Sequence, residues 1–501
     1  MVKLNKLKSV LIGEGSLLIR CAEILLQRQW SLAAIVSNSA EVLAWAKPQG
    51  LAVICPQRSA DIAIALQDLE FDYLFSIVNG FLLSEEVIGL ARQRAINYHD
   101  SPLPRYAGLN AATWALIQGE THHAISWHDL TAGIDEGDVL VQVPLAIAAD
   151  ETGLSLNVKC YEAAIAGFQQ LSQQLEQDQV QPQPQDLSQR TYFPGWARPW
   201  AAGFLDFHQP ALQLSRLVRA LAFKPGYRTP LAMPKLWLGD NWVAVGKLTI
   251  LNRSRPEPPL PPGQIVALDG QRLVVSTATA NVALSDLRTA TTQPLSPLAL
   301  GYQAGRSLPA LPEPASLGPL SETVARHETF WRRRLQRCTG LTLDWLVKDQ
   351  VTDQPQLCAQ TWDGLDALAP RLIDQVRQWQ AKTSGGEAAL EPALAAPEHP
   401  LALALTALLG GFFSRLDRQE GQTLSFSGPV QRALAGTKTA MLFAAFVPME
   451  LRCDPDAPLG AALGNWPRNK PSSTSAAAMR GICKCGRGAC RMQACPWPSP
   501  G

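Results

Sequence analysis

Through the first third of the chain, short apolar runs alternate with stretches whose apolar positions recur every three or four residues. Residues 9–12, 31–36, 52–55 and 73–78 predict buried strands, and 17–28 and 60–69 predict amphipathic helices between them. Strands alternating with helices in this way imply βαβ units, hence a doubly wound, mostly parallel, Rossmann-like α/β sheet. Residues 95–98 continue the series and end in polar side chains. Open α/β sheets bind ligands beyond the carboxyl ends of their strands, so chemistry is expected just after Ile96.

A long helical pattern over 154–175 closes a first domain, residues 1–180. The linker, 181–204, opens in a Gln/Pro-rich stretch (179–189) that cannot pack a core. A helix over 211–221 and strands at 235–238, 242–251, 263–267, 272–276 and 282–287 then predict a small β-barrel domain, 205–312. A mixed α/β segment at 320–455 opens with a charged helix over 321–337 and carries an apolar helix over 401–416. Residues 456–501 lose hydrophobic periodicity and read as an irregular, disordered tail.

Composition narrows the class. Of 501 residues, 47% are hydrophobic and 17% charged, and the net charge is +1. Such a chain is too apolar for intrinsic disorder and too balanced for a nucleic-acid coat. No apolar run reaches the ~20 residues of a membrane-spanning helix, so no membrane partner is expected. The opening apolar stretch, Val10-Leu11-Ile12, stops at Gly13 and is too short for a secretory signal, which predicts a cytoplasmic protein. Cys21, Cys55, Cys160, Cys338, Cys358 and Cys453 stand singly in apolar or helical sequence and read as reduced core thiols.

The candidate chemistry sits at the predicted strand end, Asn97-Tyr98-His99-Asp100-Ser101-Pro102-Leu103-Pro104. Alternation puts Asn97 and His99 on one side of an extended segment. A second loop, 131–138, can supply a carboxylate to orient the imidazole. An amide to hold an oxyanion, an imidazole to move protons and a carboxylate to orient it suit acyl transfer to an amine. Two other motifs mean less. Gly13-Glu14-Gly15 lacks the third glycine of a dinucleotide fingerprint and reads as a tight βα turn. His122, His123, His128 and Asp129 have metal-ligand chemistry but no convergent pattern, so no metal is expected.

Asn97-x-His99, Ser101-x-Leu103-Pro104, Gly108, Gly119-Glu120 and Gly133-x-Asp135-x-Gly137 together resemble the formyltransferases that use N10-formyltetrahydrofolate. The resemblance implies that the substrate amine attacks the formyl carbon with no protein nucleophile. It implies that Asn97 donates to the formyl oxygen, that His99 stabilises the tetrahedral intermediate, and that Asp135 holds the imidazole and favours its protonated form. It further implies that Ser101, Leu103 and Pro104 form the turn beside the cosubstrate, and that the pterin docks by backbone contacts near Phe81, Leu82, Leu83 and Ile134. Ser101-Pro102-Leu103-Pro104 departs at one place from the commoner Ser-Leu-Leu-Pro.

The acceptor stays open at this level. Residues 206–310 look like the C-terminal domain of methionyl-tRNA formyltransferases, where positive charge would meet tRNA phosphates, and hold eleven Lys and Arg against five Asp and Glu. Residues 97–108 and 154–162 are closer to formyltransferase domains of nonribosomal peptide synthetases. The segment around His327, 401–416, 424–430 and 446–452 resembles part of a condensation domain without its His-His-x-x-x-Asp-Gly motif. This implies an aminoacyl carrier protein or a neighbouring synthetase module as partner, with tRNA, an amino sugar nucleotide or a non-catalytic adaptor role as rivals. Cys483, Cys485, Cys490 and Cys495 are too irregularly spaced for a zinc knuckle, and the change after about residue 463 reads as a frameshifted or prematurely ended frame.

Overall fold

A computed structural model describes residues 6–221, 229–251 and 260–336, Arg415, and the backbone of the strands Gly421–Phe426 and Val447–Arg452. The chain divides into two units, Met1–Pro314 and Ala315–Gly501.

The first unit begins with β1 (Lys8–Gly13), α1 (Gly15–Gln27), β2 (Ser31–Val36), α2 (Ala40–Ala46), β3 (Val53–Ile54), α3 (Ser59–Leu66), β4 (Tyr73–Ile77), α4 (Glu85–Ile88) and β5 (Arg94–His99). It continues through β6 (Ala107–Gly108), α5 (Ala111–Gln118), β7 (His122–Asp129), β8 (Val139–Ala146) and α6 (Gly153–Glu176). Seven strands form one sheet in the order β3-β2-β1-β4-β5-β7-β8. The first five run parallel, while β7 and β8 are antiparallel to their neighbours.

Both faces of the parallel part of this sheet are covered, which is why β1, β2 and β4 are mainly apolar. In β1, Leu11 joins the core under α1 and α6, whereas Val10 and Ile12 join the one under α3 and α4. The first core centres on Trp127, Phe75 and Phe168, all fully buried, with Trp127 and Phe168 ring centroids 4.9 Å apart. Burying one such aromatic contributes about 2 kcal/mol of transfer free energy. Cys21 and Cys160 belong to this core, and burial pushes both thiols up, away from the reactive thiolate form. Cys55, expected as a core thiol, is exposed instead, because β3 ends one residue before it. The three later single cysteines and the cysteine-rich tail lie outside the described residues.

The linker is bound rather than free. Gln183 exchanges two backbone hydrogen bonds with Val139, and β9 (Tyr192–Phe193) pairs in parallel with β6. Its Gln and Pro residues build no core, but an extended backbone needs none to form ladder hydrogen bonds. Beyond it come α7 (Ala211–Ala220), β10 (Lys235–Trp237), β11 (Trp242–Ile250), β12 (Ile265–Leu268), β13 (Arg272–Ser276) and β14 (Asn281–Arg288). These strands form an antiparallel sheet in the order β10-β11-β14-β13-β12. The expected barrel is therefore a half-barrel, with α7 packed on β11. Its core reaches into the first domain through Tyr106, Ala111, Trp114 and Ala115, so the two parts share one apolar interior.

The second unit begins within α8 (Pro314–Ala325), followed by α9 (Glu328–Gln336) and an antiparallel pair, β15 (Gly421–Phe426) and β16 (Val447–Arg452). The single charged helix expected over 321–337 is two helices, parted where His327 N–H donates to the Val324 carbonyl and tightens the turn. The helix expected at 401–416 and the tail after 455 lie outside the described residues, apart from helical Arg415. Among the described residues no helix is long and apolar enough to cross a membrane.

Candidate active site

The side chains of β5 and β7 meet where the two strands pair. Asn97 stands opposite His128 in the register, and its Nδ2 lies 3.1 Å from His128 Nε2. His128 Nδ1 lies 2.9 Å from the Asp129 carbonyl, which only accepts, so Nδ1 carries a hydrogen. In the neutral ring, Nε2 then accepts the Asn97 amide N–H. The second Asn97 N–H is left for another acceptor.

His99, two residues along β5, is 6% exposed. Its Nε2 donates to the Tyr106 carbonyl at 2.9 Å, which fixes the tautomer and leaves Nδ1 bare in the neutral ring. The loop after β7 folds back over this pair and delivers Asp135. One carboxylate oxygen is 3.8 Å from His99 Nδ1 and the other 3.5 Å from His128 Nε2. The first distance is too long for a hydrogen bond but close enough for charge to act. Asp135 Oδ2 also accepts the Gly108 N–H at 2.8 Å. Burial alone would raise the Asp135 pKa. The His128 and His99 rings that face it, when they carry a second proton, and the Gly108 N–H outweigh it and hold the group at about 2. Asp135 has φ 56, an unusual backbone for a non-glycine. Gln185, from the linker, fastens that loop by donating to the Asp135 and Gly137 carbonyls at 2.9 and 2.6 Å.

Ser101, Leu103 and Pro104 shape the turn between His99 and Tyr106. Ser101 is fully buried and its hydroxyl donates to the Arg105 carbonyl at 2.8 Å. Ser126 and Gln142 in turn donate to the Ser101 and Leu103 carbonyls, and the Leu103–Pro104 peptide is cis. These residues position backbone rather than present side chains.

The loop holding Phe81, Leu82 and Leu83 starts just after Ser76, the partner of Asn97 in the neighbouring strand, so it begins level with the site. Asn79 donates to the Phe81 carbonyl and accepts from the Phe81 amide, both at 2.9 Å. Phe81 and Leu83 turn into the core, while Leu82 is 76% exposed. Ile134 is also largely exposed, and its carbonyl accepts from Arg190 at 2.9 Å. Sequence reasoning set His128 among candidate metal ligands, whereas the strand register places it in this cluster. It also missed Tyr106 and Gln185, which act through backbone atoms or from the linker. His122 and His123 point to opposite faces, one exposed and one buried against the Asp100 carbonyl, so they do not converge.

A family model described as formyl transferase matches residues 10–171, and one described as formyl transferase, C-terminal domain, matches 201–302. Among solved structures, HypX from Aquifex aeolicus in complex with tetrahydrofolic acid is 15% identical, with a TM-score of 0.43, over 59% of this chain and 47% of that one. The sugar 3N-formyl transferase WlaRD is 13% identical over 56% and 98% of the two chains, TM-score 0.45. The N-formyltransferase from Helicobacter canadensis, in complex with folinic acid and dTDP-3-aminofucose, is 15% identical over 56% and 99%, TM-score 0.45. The chain spans about half the length of the HypX structures. Its two family matches together cover more than half of its residues, and the chain belongs to the formyl transferase family.

Proposed function

We propose that the protein transfers the formyl group of N10-formyltetrahydrofolate to a primary amine, the α-amine of an aminoacyl group carried as a thioester on a carrier protein. The observation that carries the transfer itself is the convergence of Asn97, His99 and Asp135 on one buried cluster.

The free Asn97 N–H meets the formyl oxygen as the attacking amine turns the carbon tetrahedral. One such donor lowers a barrier by about 3 kcal/mol. His99 Nδ1, left bare by the Tyr106 hydrogen bond, takes the proton that the attacking amine must lose. The Asp135 carboxylate stands where the transient imidazolium develops its charge. Tetrahydrofolate leaves with its nitrogen reprotonated, so no covalent enzyme intermediate is needed. Phe81, Leu82, Leu83 and Ile134 line the place for the pterin, which backbone N–H and C=O groups recognise.

The acceptor choice draws support from how the half-barrel domain uses its cations. Lys235 is 4% exposed, its amine 4.7 Å from the Phe204 ring centre; Arg219 binds the Glu151 carbonyl. Arg272 and Arg288 pair with Asp269 and Asp286. These are four of the domain's eleven cations, and charge engaged in this way is less available to run along a phosphate backbone. A competition assay decides the matter. Protein given the folate donor, an aminoacylated carrier protein and charged initiator tRNA should formylate the carrier-bound amino acid, read by mass spectrometry. Formylation confined to the tRNA would replace the acceptor with Met-tRNA.

A further inference from the structure

We propose that residues 191–193, which lie within the linker, are a positioning strap for His99 and Asp135. This rests on the roles given to those two residues above.

Both are held by backbone groups of one short segment. Tyr106 supplies the carbonyl that takes the His99 Nε2–H, and Gly108 supplies the N–H that Asp135 accepts. This segment has no place in the main sheet. It is fixed by β9 instead, with Ala107 paired to Tyr192 and Gly108 to Phe193. The Tyr106 N–H donates to Thr191 Oγ1 at 2.7 Å, Ala107 N–H to the Thr191 carbonyl at 2.9 Å, and Leu109 N–H to the Phe193 carbonyl at 2.8 Å.

Side chains lock the same contact. The Phe193 ring lies stacked between Tyr106 and Trp114, at 5.6 and 4.6 Å between centroids. The Tyr106 hydroxyl donates to Glu120 at 2.7 Å, and Arg105 pairs with the same carboxylate. Tyr106 has φ 60, a left-handed backbone that a tyrosine keeps only where its surroundings impose it. Gly108 has φ 99, and a Cβ there would meet the Phe193 carbonyl oxygen at 2.3 Å. The approach of strap to segment is thus closer than any side chain at 108 would permit. A shift of the strap moves an acceptor from His99 and a donor from Asp135 together.

The test reads the histidine directly and needs no acceptor. Full-length protein labelled with 15N-histidine is examined by long-range nitrogen–proton NMR at about pH 8.5, where imidazoles are neutral. His99→Gln identifies the signal. In the wild type His99 should show a hydrogen fixed on Nε2. In Thr191→Val and Phe193→Ala the pattern should collapse toward a mixture of tautomers, while the exposed His208 keeps its wild-type signals. Thr191→Ser, which restores the acceptor oxygen, should restore the spectrum. If Phe193→Ala does not fold, the Thr191 pair carries the test alone. With the folate donor and a competent acceptor, Thr191→Val should lower kcat by tenfold to about a hundredfold, leaving KM for the donor near wild type. A fixed His99 tautomer in Thr191→Val, or a Thr191→Ser spectrum as disturbed as that of Thr191→Val, overturns the strap. Neither result depends on whether the wild type transfers formyl groups.

Discussion

Two strand ends of one sheet obey the same topological rule and do different work. At the carboxyl end of β1, Gly13 turns the chain against the Ile77 carbonyl, Glu14 is exposed, and no polar side chain is buried. At the carboxyl end of β5, His99 is buried together with Asp135, and Asn97 and His128 complete the cluster. Burying polar groups costs free energy unless each finds a partner. β1 avoids the cost with a glycine, whereas β5 offsets part of it through the His99–Tyr106 and Asp135–Gly108 hydrogen bonds. A strand end in an α/β sheet is therefore an address for chemistry, and the buried polar set shows whether the address is used.

Substitutions at the two ends should separate chemistry from folding. His99→Ala and Asn97→Ala should each lower formyl transfer by about two to three orders of magnitude. Their thermal unfolding midpoints should stay within a few degrees of wild type. Loss of folding at equal activity per folded molecule would invert the comparison. Gly13→Ala should do the opposite: a Cβ there meets the Ile77 carbonyl oxygen at 1.7 Å, and φ is 147. Denaturant titration should show a loss of about 3 kcal/mol of stability.

Acid sharpens the contrast. The folded-state pKa of Asp135 is depressed to about 2 from the ordinary aspartate value of 3.8. Its ionised form therefore contributes stability that is present above about pH 4 and lost as pH falls through about 2. The shift corresponds to about 2 kcal/mol. The stability gap between wild type and Asp135→Asn should shrink by that amount over this window in acid titrations, and a gap flat with pH would refute it. The smallest effect belongs to Ser101→Ala, which leaves the Arg105 carbonyl without the Ser101 hydroxyl and should cost about 1 kcal/mol by thermal unfolding.

Much of the parallel sheet was legible because strands buried on both faces write themselves as unbroken apolar runs. The antiparallel edge was legible only in part: 126–130 reads as a strand running into a loop, while β8 is unmarked. β8 contains Gln142 and Pro144, and its outer half is exposed at alternate positions, which weakens its pattern. β7 begins at His122 and His123, polar residues that read as a turn; His123 is buried only because its Nε2 meets the Asp100 carbonyl, a contact made across the fold. In the site, Asn97 and His99 were named from residue type and alternation and Asp135 from the family resemblance, and the structure brings all three together. His128 is in place through the strand register, Tyr106 through a carbonyl and Gln185 through a bound linker. Backbone contacts leave no mark on side-chain identity, so these partners needed the fold.

Single-turnover transfer tests the central claim most directly. Enzyme in excess over labelled N10-formyltetrahydrofolate is mixed with the aminoacylated carrier protein, and the label is followed in wild type and in folded Asn97→Ala, His99→Ala and Asp135→Asn. The account predicts rapid transfer by the wild type and at least a hundredfold slower transfer by each variant. Transfer by the three variants at the wild-type rate would contradict it.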